Sequence, residues 1–166
     1  MTILGISVGT SRTGVCILKD GLLLDREVHN YLRAWSEAKL RIIVNRYRQY
    51  IKKHGVTAIM VKIPPLRKHT KPITRLLKGI ESLSKENDCL FDLITKSELK
   101  HRTGTRSTGE LVDYARRLYP ELSSLFEKGV PTEYMYYKKL FEAVLAAHVF
   151  SDMQQARATR MGATTE

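Results

Sequence analysis

An Asp-Gly pair at residues 20 and 21, set between two apolar runs, fixes how this chain begins. A two-residue link of this composition closes a β-hairpin, because both central residues of a type I′ turn need positive φ. "RTGVCILKD" leads into it and "LLLDREVHN" leads out. Before them, residues 2 to 8 form another apolar run, joined to the hairpin by the short turn "GTSRTG". The expected opening is a three-stranded antiparallel meander.

Helical spacing follows. Trp35, Ala38, Ile42, Ile43, Tyr47, Tyr50 and Ile51 mark one helix. Gly55 stops it, with cations in the last turn. "VTAIMVKI" reads as a central strand, apolar on both faces, and Pro64-Pro65 ends it. Thr70 caps a second helix carrying Ile73, Leu76, Leu77, Ile80 and Leu83, with Pro72 in its first turn. "CLFDLIT" is a fifth strand, and the basic stretch "KSELKHRTGTRSTG" is expected to be a loop or short helical turn. "GELVDYARRLYPEL" is a third helix. The last, from Pro131, is apolar almost all round and is expected to pack hard on the sheet. The expected order is β-β-β-α-β-α-β-α-α: three antiparallel strands, then two parallel ones reached by helical crossovers, with helices on both faces. Residues 1–151 form one domain, and 152–166 a polar C-terminal tail expected to be flexible.

A chain of 166 residues holds one core without staples. No run approaches a membrane span, and the N-terminus lacks the basic region of a signal peptide. Cys16 and Cys89 stand in strand-like runs without metal-ligand spacing and read as buried thiols. These features suit the cytoplasm. The net charge of +11 points to a polyanionic partner, nucleic acid before a membrane surface.

"GTSRTG" has the two-glycine outline of a P-loop. Val15 and Cys16 follow the second glycine where a P-loop needs Lys and Ser or Thr, and the chain enters a strand instead of a helix. The strand order and the motif "GISVGTSRTG" together resemble the ribonuclease H-like superfamily, and within it the RuvC-type Holliday-junction resolvases. The resemblance spans residues 3 to about 150. It implies a ribonuclease H-like mixed five-stranded sheet, nucleic-acid binding and often a homodimer. Actin-like ATPases also open with a strand and a Gly-Thr turn, but their two lobes need a longer chain.

The resemblance also implies carboxylates for two divalent ions, at the end of the first strand, at the end of the fourth, and as a pair on the last helix. Those places fall at Ser7, Lys62, Lys139 and Glu142, of which Glu142 alone is acidic. Lys62 or Lys139 is expected to stand where a metal would stand, its ammonium paired with Glu142. The plainer alternative is a slipped alignment with solvated lysines. Asp20, Asp25, Glu110 and Asp113 are the other acids open to a rebuilt site, though Glu110 and Asp113 read better as an exposed helix face.

The basic side chains that fall at the carboxyl ends of the parallel strands are Arg67, Lys68, Lys71, Arg75 and Lys78, then Lys96, Lys100, Arg102 and Arg106, with Arg12 in the first turn. The basic residues from Arg41 to Lys53 read as a solvated face. Tyr134, Tyr136 and Tyr137 read as core or interface before base-stacking platforms. The expectation is a RuvC-like protein that holds branched or structured DNA or RNA without two-metal cleavage, and without a cofactor or membrane. The alternative is an active Mg²⁺-dependent, structure-specific endonuclease with altered ligands.

Overall fold

The computed structural model of the protein describes residues 1–126 and 131–163, with the backbone alone at 126, 131–134 and 163. The opening meander is β1 (Thr2–Ser7), β2 (Arg12–Lys19) and β3 (Leu22–Asn30). Asp20 and Gly21 turn between β2 and β3 with φ of 49° and 81°, both positive as a type I′ link requires. There follow α1 (Glu37–His54), β4 (Ala58–Ile63), α2 (Lys71–Glu86), β5 (Leu90–Thr95), α3 (Lys96–Thr103), α4 (Thr108–Leu118) and α5 (Pro131–Ala163). The five strands lie in the order β3-β2-β1-β4-β5. β1, β2 and β3 pair antiparallel, while β1–β4 and β4–β5 pair parallel. This is the mixed α/β sheet that the sequence pattern calls for.

β1 and β4 are buried along their whole length, as central strands covered on both faces must be. Alternation sorts their side chains into two layers. Leu4, Ile6, Val15, Ile17, Ile59 and Val61 meet Ile43 and Tyr47 of α1 and Leu76 and Ile80 of α2. Ile3, Cys16, Leu18, Ala58 and Met60 meet Leu111 and Ala115 of α4 and Phe141, Val144 and Leu145 of α5. The contact with α5 is unusually close at two glycines. A Cβ on Gly5 would run into the Ala143 carbonyl, and one on Gly14 into the backbone of Lys139 and Leu140. The absence of side chains there lets helix and sheet meet backbone to backbone.

Helix ends follow the capping rules. Ser36 accepts the Lys39 N–H at 3.0 Å, Thr70 accepts the Ile73 N–H at 3.3 Å, and Gly55 closes α1 in the left-handed region. Two segments carry more helix than the sequence pattern displays. The basic stretch after β5, expected as a loop or a short helical turn, opens with the eight-residue helix α3. Thr95 and Glu98 make a reciprocal capping box, and Gly104 at φ 68° ends the helix. That box, Thr-x-x-Glu, stands in the sequence but is masked by the surrounding charge. The segment expected as a tail after residue 151 is helical too, since α5 runs unbroken to Ala163. Its last turns are exposed and lack Gly or Pro until Gly162, so nothing local stops the helix sooner.

Cys16 is buried and Cys89 half-buried, and both are free thiols. Among the described residues, no helix is long and apolar enough to cross a membrane.

On the α1 face of the sheet a cleft of about 330 Å³ is lined by Asp25, Glu27, Arg46, Gln49, Tyr50 and Lys53. His29 sits beside it, buried. Its Nε2 lies 2.9 Å from the Tyr50 hydroxyl and 3.2 Å from Glu27, and Arg46 donates to Nδ1 at 2.7 Å. Accepting from a guanidinium requires a neutral ring. Burial, helped by Arg46 and opposed by Glu27 and Asp25, holds the His29 pKa below the usual histidine value. As pH falls, the unfolded chain takes up this proton before the folded one does. Stability is then flat above about pH 6.5 and declines as pH drops below it. Thermal melts between pH 8 and pH 5 check this. His29→Gln should flatten that decline, and an equal slope in parent and variant would rule His29 out as its source.

Candidate functional site

The parallel register of β1 and β4 sets Ser7 beside Lys62, and the antiparallel register of β1 and β2 sets Ser7 opposite Gly14. Ser7 lies two residues beyond Gly5, and Lys62 two beyond Met60, so both side chains turn toward α5. There Lys62 Nζ stands 2.5 Å from Glu142 Oε2. The pair is enclosed: the side chains are 11% and 3% exposed. It is an ion pair without directed hydrogen-bond geometry. Neither Glu142 oxygen nor Ser7 Oγ has a hydrogen-bond partner among the described residues. A buried charge must be matched, and here each group is the other's counter-ion.

Lys139 lies one turn earlier on α5 and reaches over the first turn of the chain. Its ammonium donates to the Val8 carbonyl at 2.9 Å. A Cβ on Gly9 would come within 2.9 Å of that nitrogen, so the bare glycine makes room for the lysine. The turn is held by two further bonds: Val8 N–H donates to Lys62 O at 3.1 Å, and Thr13 Oγ1 donates to Gly9 O at 3.1 Å. Burial lowers the Lys139 pKa to about 8, with Lys62, Lys138 and Arg12 adding to the effect and Glu142 opposing it.

Lys96 opens α3 directly after β5, at the same end of the sheet. Its pKa is also lowered to about 8, by burial first, then by Lys138 and Lys62, again against Glu142. Arg12, at the start of β2, completes the rim. Its Nε donates to Asn30 Oδ1 at 3.0 Å, and its guanidinium lies 4.7 Å over the Tyr136 ring. Asn30 Nδ2 in turn donates to the Tyr136 hydroxyl at 3.1 Å. Among the described residues, Glu142 thus faces Lys62, Lys96 and Lys139, with Lys138 and Arg12 as further cations beside them.

This donor set does not fit two magnesium ions, which want several hard oxygen ligands. One carboxylate is present and it holds an ammonium. Among the described residues, no group of three or more His, Cys, Asp or Glu side chains is arranged for a metal ion. The other acids do not repair the set. Asp20 pairs with the chain's N-terminus at 2.9 Å, at the opposite end of β2. Asp25 lies 3.4 Å from His54 on the α1 face. Glu110 and Asp113 line a separate cleft with Tyr114 and Arg117.

The four positions Ser7, Lys62, Lys139 and Glu142 therefore come together, with Lys62 as the partner of Glu142. Arg12 joins them. Arg67, Lys68 and Lys71 are exposed in the 3-10 turn after β4 and the first turn of α2. Arg102 and Arg106 are exposed on α3 and after it, and Lys100 is half-buried. Arg75 is committed elsewhere: its guanidinium grips Glu37 at 2.8 and 3.3 Å and ties α2 to α1. Lys78 is exposed two turns along α2, about 10 Å past Lys71. Tyr136 backs Arg12 and Tyr137 packs at the core edge, while the Tyr134 side chain lies outside the described residues. The sequence reading missed Lys138 altogether and took Lys96 as one of a run of basic residues. The first-residue position of Lys96 after β5 was the available signal, since it falls level with the ends of β1 and β4.

No protein-family profile matches this sequence, and no curated protein matches it. Solved structures do. RuvC of Thermus thermophilus in complex with a Holliday junction substrate superposes with a TM-score of 0.71 at 15% identity, over 92% of this chain and 96% of that one. A second Thermus thermophilus RuvC structure gives 0.65 at 16% identity, over 90% and 92%. At such identities the likeness is one of architecture: the chain has the ribonuclease H-like fold of RuvC, nearly end to end.

Proposed function

We propose that this protein binds branched or structured nucleic acid in a RuvC-like groove and does not cut it by two-metal catalysis. The observation that carries this reading is the enclosed Lys62–Glu142 pair, with the two groups 2.5 Å apart. It occupies the one acidic side chain of the site and places an ammonium among the positions where the resemblance implies metal ligands. An ammonium beside a would-be Mg²⁺ opposes the ion's charge in a region of low dielectric. The surroundings still favour a polyanion. The net charge is +11, Arg12 opens β2, and Arg67, Lys68, Lys71, Lys100, Arg102 and Arg106 follow the carboxyl ends of β4 and β5 along the chain. That the Thermus protein is seen with a Holliday junction supports the choice of a branched substrate for the first assay.

The assay incubates purified protein with labelled four-way junction, duplex and single strands of DNA and RNA, each with Mg²⁺, Mn²⁺ or EDTA. The expected result is binding that weakens steeply with salt, is indifferent to EDTA, and leaves the strands whole. Metal-dependent cutting that disappears in Glu142→Gln would overturn the reading in favour of an active endonuclease with altered ligands.

A further inference from the structure

Resting on that reading, we infer that a single backbone phosphate of the bound nucleic acid is seated on Lys96, Lys138, Lys139 and Arg12, directly above the Lys62–Glu142 pair. The seat takes the place that metal ions would hold in a cleaving relative, and it does their positioning work without their chemistry.

Three observations lead here. First, the cluster is layered. Lys62 and Glu142 are enclosed and neutralise each other, whereas Arg12, Lys96, Lys138 and Lys139 are all partly open to solvent. The lower layer is a balanced floor and the upper layer is cationic. Second, among the described residues the upper layer has no anion of its own. Glu142, already spent on Lys62, is the one carboxylate among the described residues that acts on Lys96 and Lys139, while Lys62, Lys138 and, at Lys139, Arg12 push the other way. Crowded cations on three separate elements, ammoniums on α3 and α5 and a guanidinium on β2, are costly unless something negative enters among them. Third, two of the donors are held in place. Asn30 and the Tyr136 ring fix Arg12, and the Val8 carbonyl fixes Lys139, so little side-chain freedom is left to lose on binding. A phosphate offers several acceptor oxygens to such converging donors.

The chemistry fits a phosphodiester or a free phosphate compound alike, and two arms of one experiment separate them. In the first arm, inorganic pyrophosphate is titrated into the full chain and thermal stabilisation is recorded. In the second, affinity for a four-way DNA junction is measured across a salt series. The variants are Lys96→Gln, Lys138→Gln, their double, and Lys138→Arg, with Lys52→Gln at the far end of α1 as the remote control. The seat predicts that pyrophosphate stabilises the parent and that the double variant loses this. For the junction, each Lys→Gln change should weaken binding about tenfold and flatten the slope of log affinity against log salt by about one. Lys138→Arg should keep both properties, and Lys52→Gln should leave the pyrophosphate response intact. Removing a crowded cation should not lower the melting temperature, which separates lost binding from lost folding. A junction-binding slope unchanged in the double variant would overturn the seat while leaving nucleic-acid binding standing. A pyrophosphate response that the double variant abolishes, in a protein that binds no nucleic acid, would keep the phosphate seat and sink the nucleic-acid reading.

Discussion

Glu142→Gln should melt far below the parent protein. The substitution keeps the shape of the side chain and removes its charge, so the Lys62 ammonium is left enclosed with no counter-ion, among Ser7, Lys139 and the backbone of α5. Breaking a buried pair from one side costs on the order of 3–5 kcal/mol, which for a domain of this size is roughly 10 °C in melting temperature. Removing both partners is a different case. Lys62→Met combined with Glu142→Leu replaces two desolvated charges by packed apolar atoms, and most of the stability should return. An unchanged melting temperature in Glu142→Gln would mean that water reaches the pair and that the acid has no structural task. The double variant also tests function. If the pair serves as a floor and takes no direct part in binding, junction affinity should survive its replacement better than it survives the loss of Lys96 and Lys138.

Gly14→Ala should be nearly as damaging, for a reason unconnected with charge. The added methyl would meet the carbonyl and carbonyl carbon of Lys139 and the N–H of Leu140. These are backbone atoms of a long helix packed on β1, β2, β3 and β4, and they cannot swing aside as a side chain tip can. Overpacking a core usually costs about 1–3 kcal/mol, and the rigid neighbours place this case at the upper end or beyond. The helix must lift, and Lys139 and Glu142 ride on it. Far-UV circular dichroism together with junction binding checks the outcome. The expected result is a lower melting temperature and weakened binding, with helical content retained. A variant with parental stability would show that α5 tolerates displacement from β2.

Much of the fold was legible because its signals are local. The Asp20-Gly21 hairpin, the Thr70 cap and the Gly55 stop each depend on a few adjacent residues, and each stands where the sequence places it. α3 was obscured because its apolar content is a single buried leucine, Leu99, so it has no stripe to read. It is held by its capping box and by docking on α5, and the second of these is tertiary. The long α5 likewise outruns the pattern, because its last turns bury nothing and periodicity falls silent there. The site was half legible. Ser7 and Lys62 are placed by counting along strands of period two, and Lys139 and Glu142 by counting along a helix. That Lys62 rather than Lys139 takes Glu142 depends on the direction in which each ammonium extends, and no spacing rule carries that information. Lys138 and Lys96 join the cluster through the crossing of α5 over the end of α3, an arrangement set by side-chain volumes in the layer between helices and sheet.

The tight seating of α5 on Gly5 and Gly14 has a consequence for how the molecule comes into being. The helix is the last element of the chain, yet it covers the face of the first two strands. Until it docks, Ile3, Cys16, Leu18 and Met60 look out on water, and the Lys62 ammonium has no anion. The apolar layer and the ionic floor are therefore completed in one step, when α5 docks. A chain in which α5 has not docked keeps its α1 face packed and leaves the opposite apolar face without its main cover. Assembly of the site is thereby tied to closure of the second core layer.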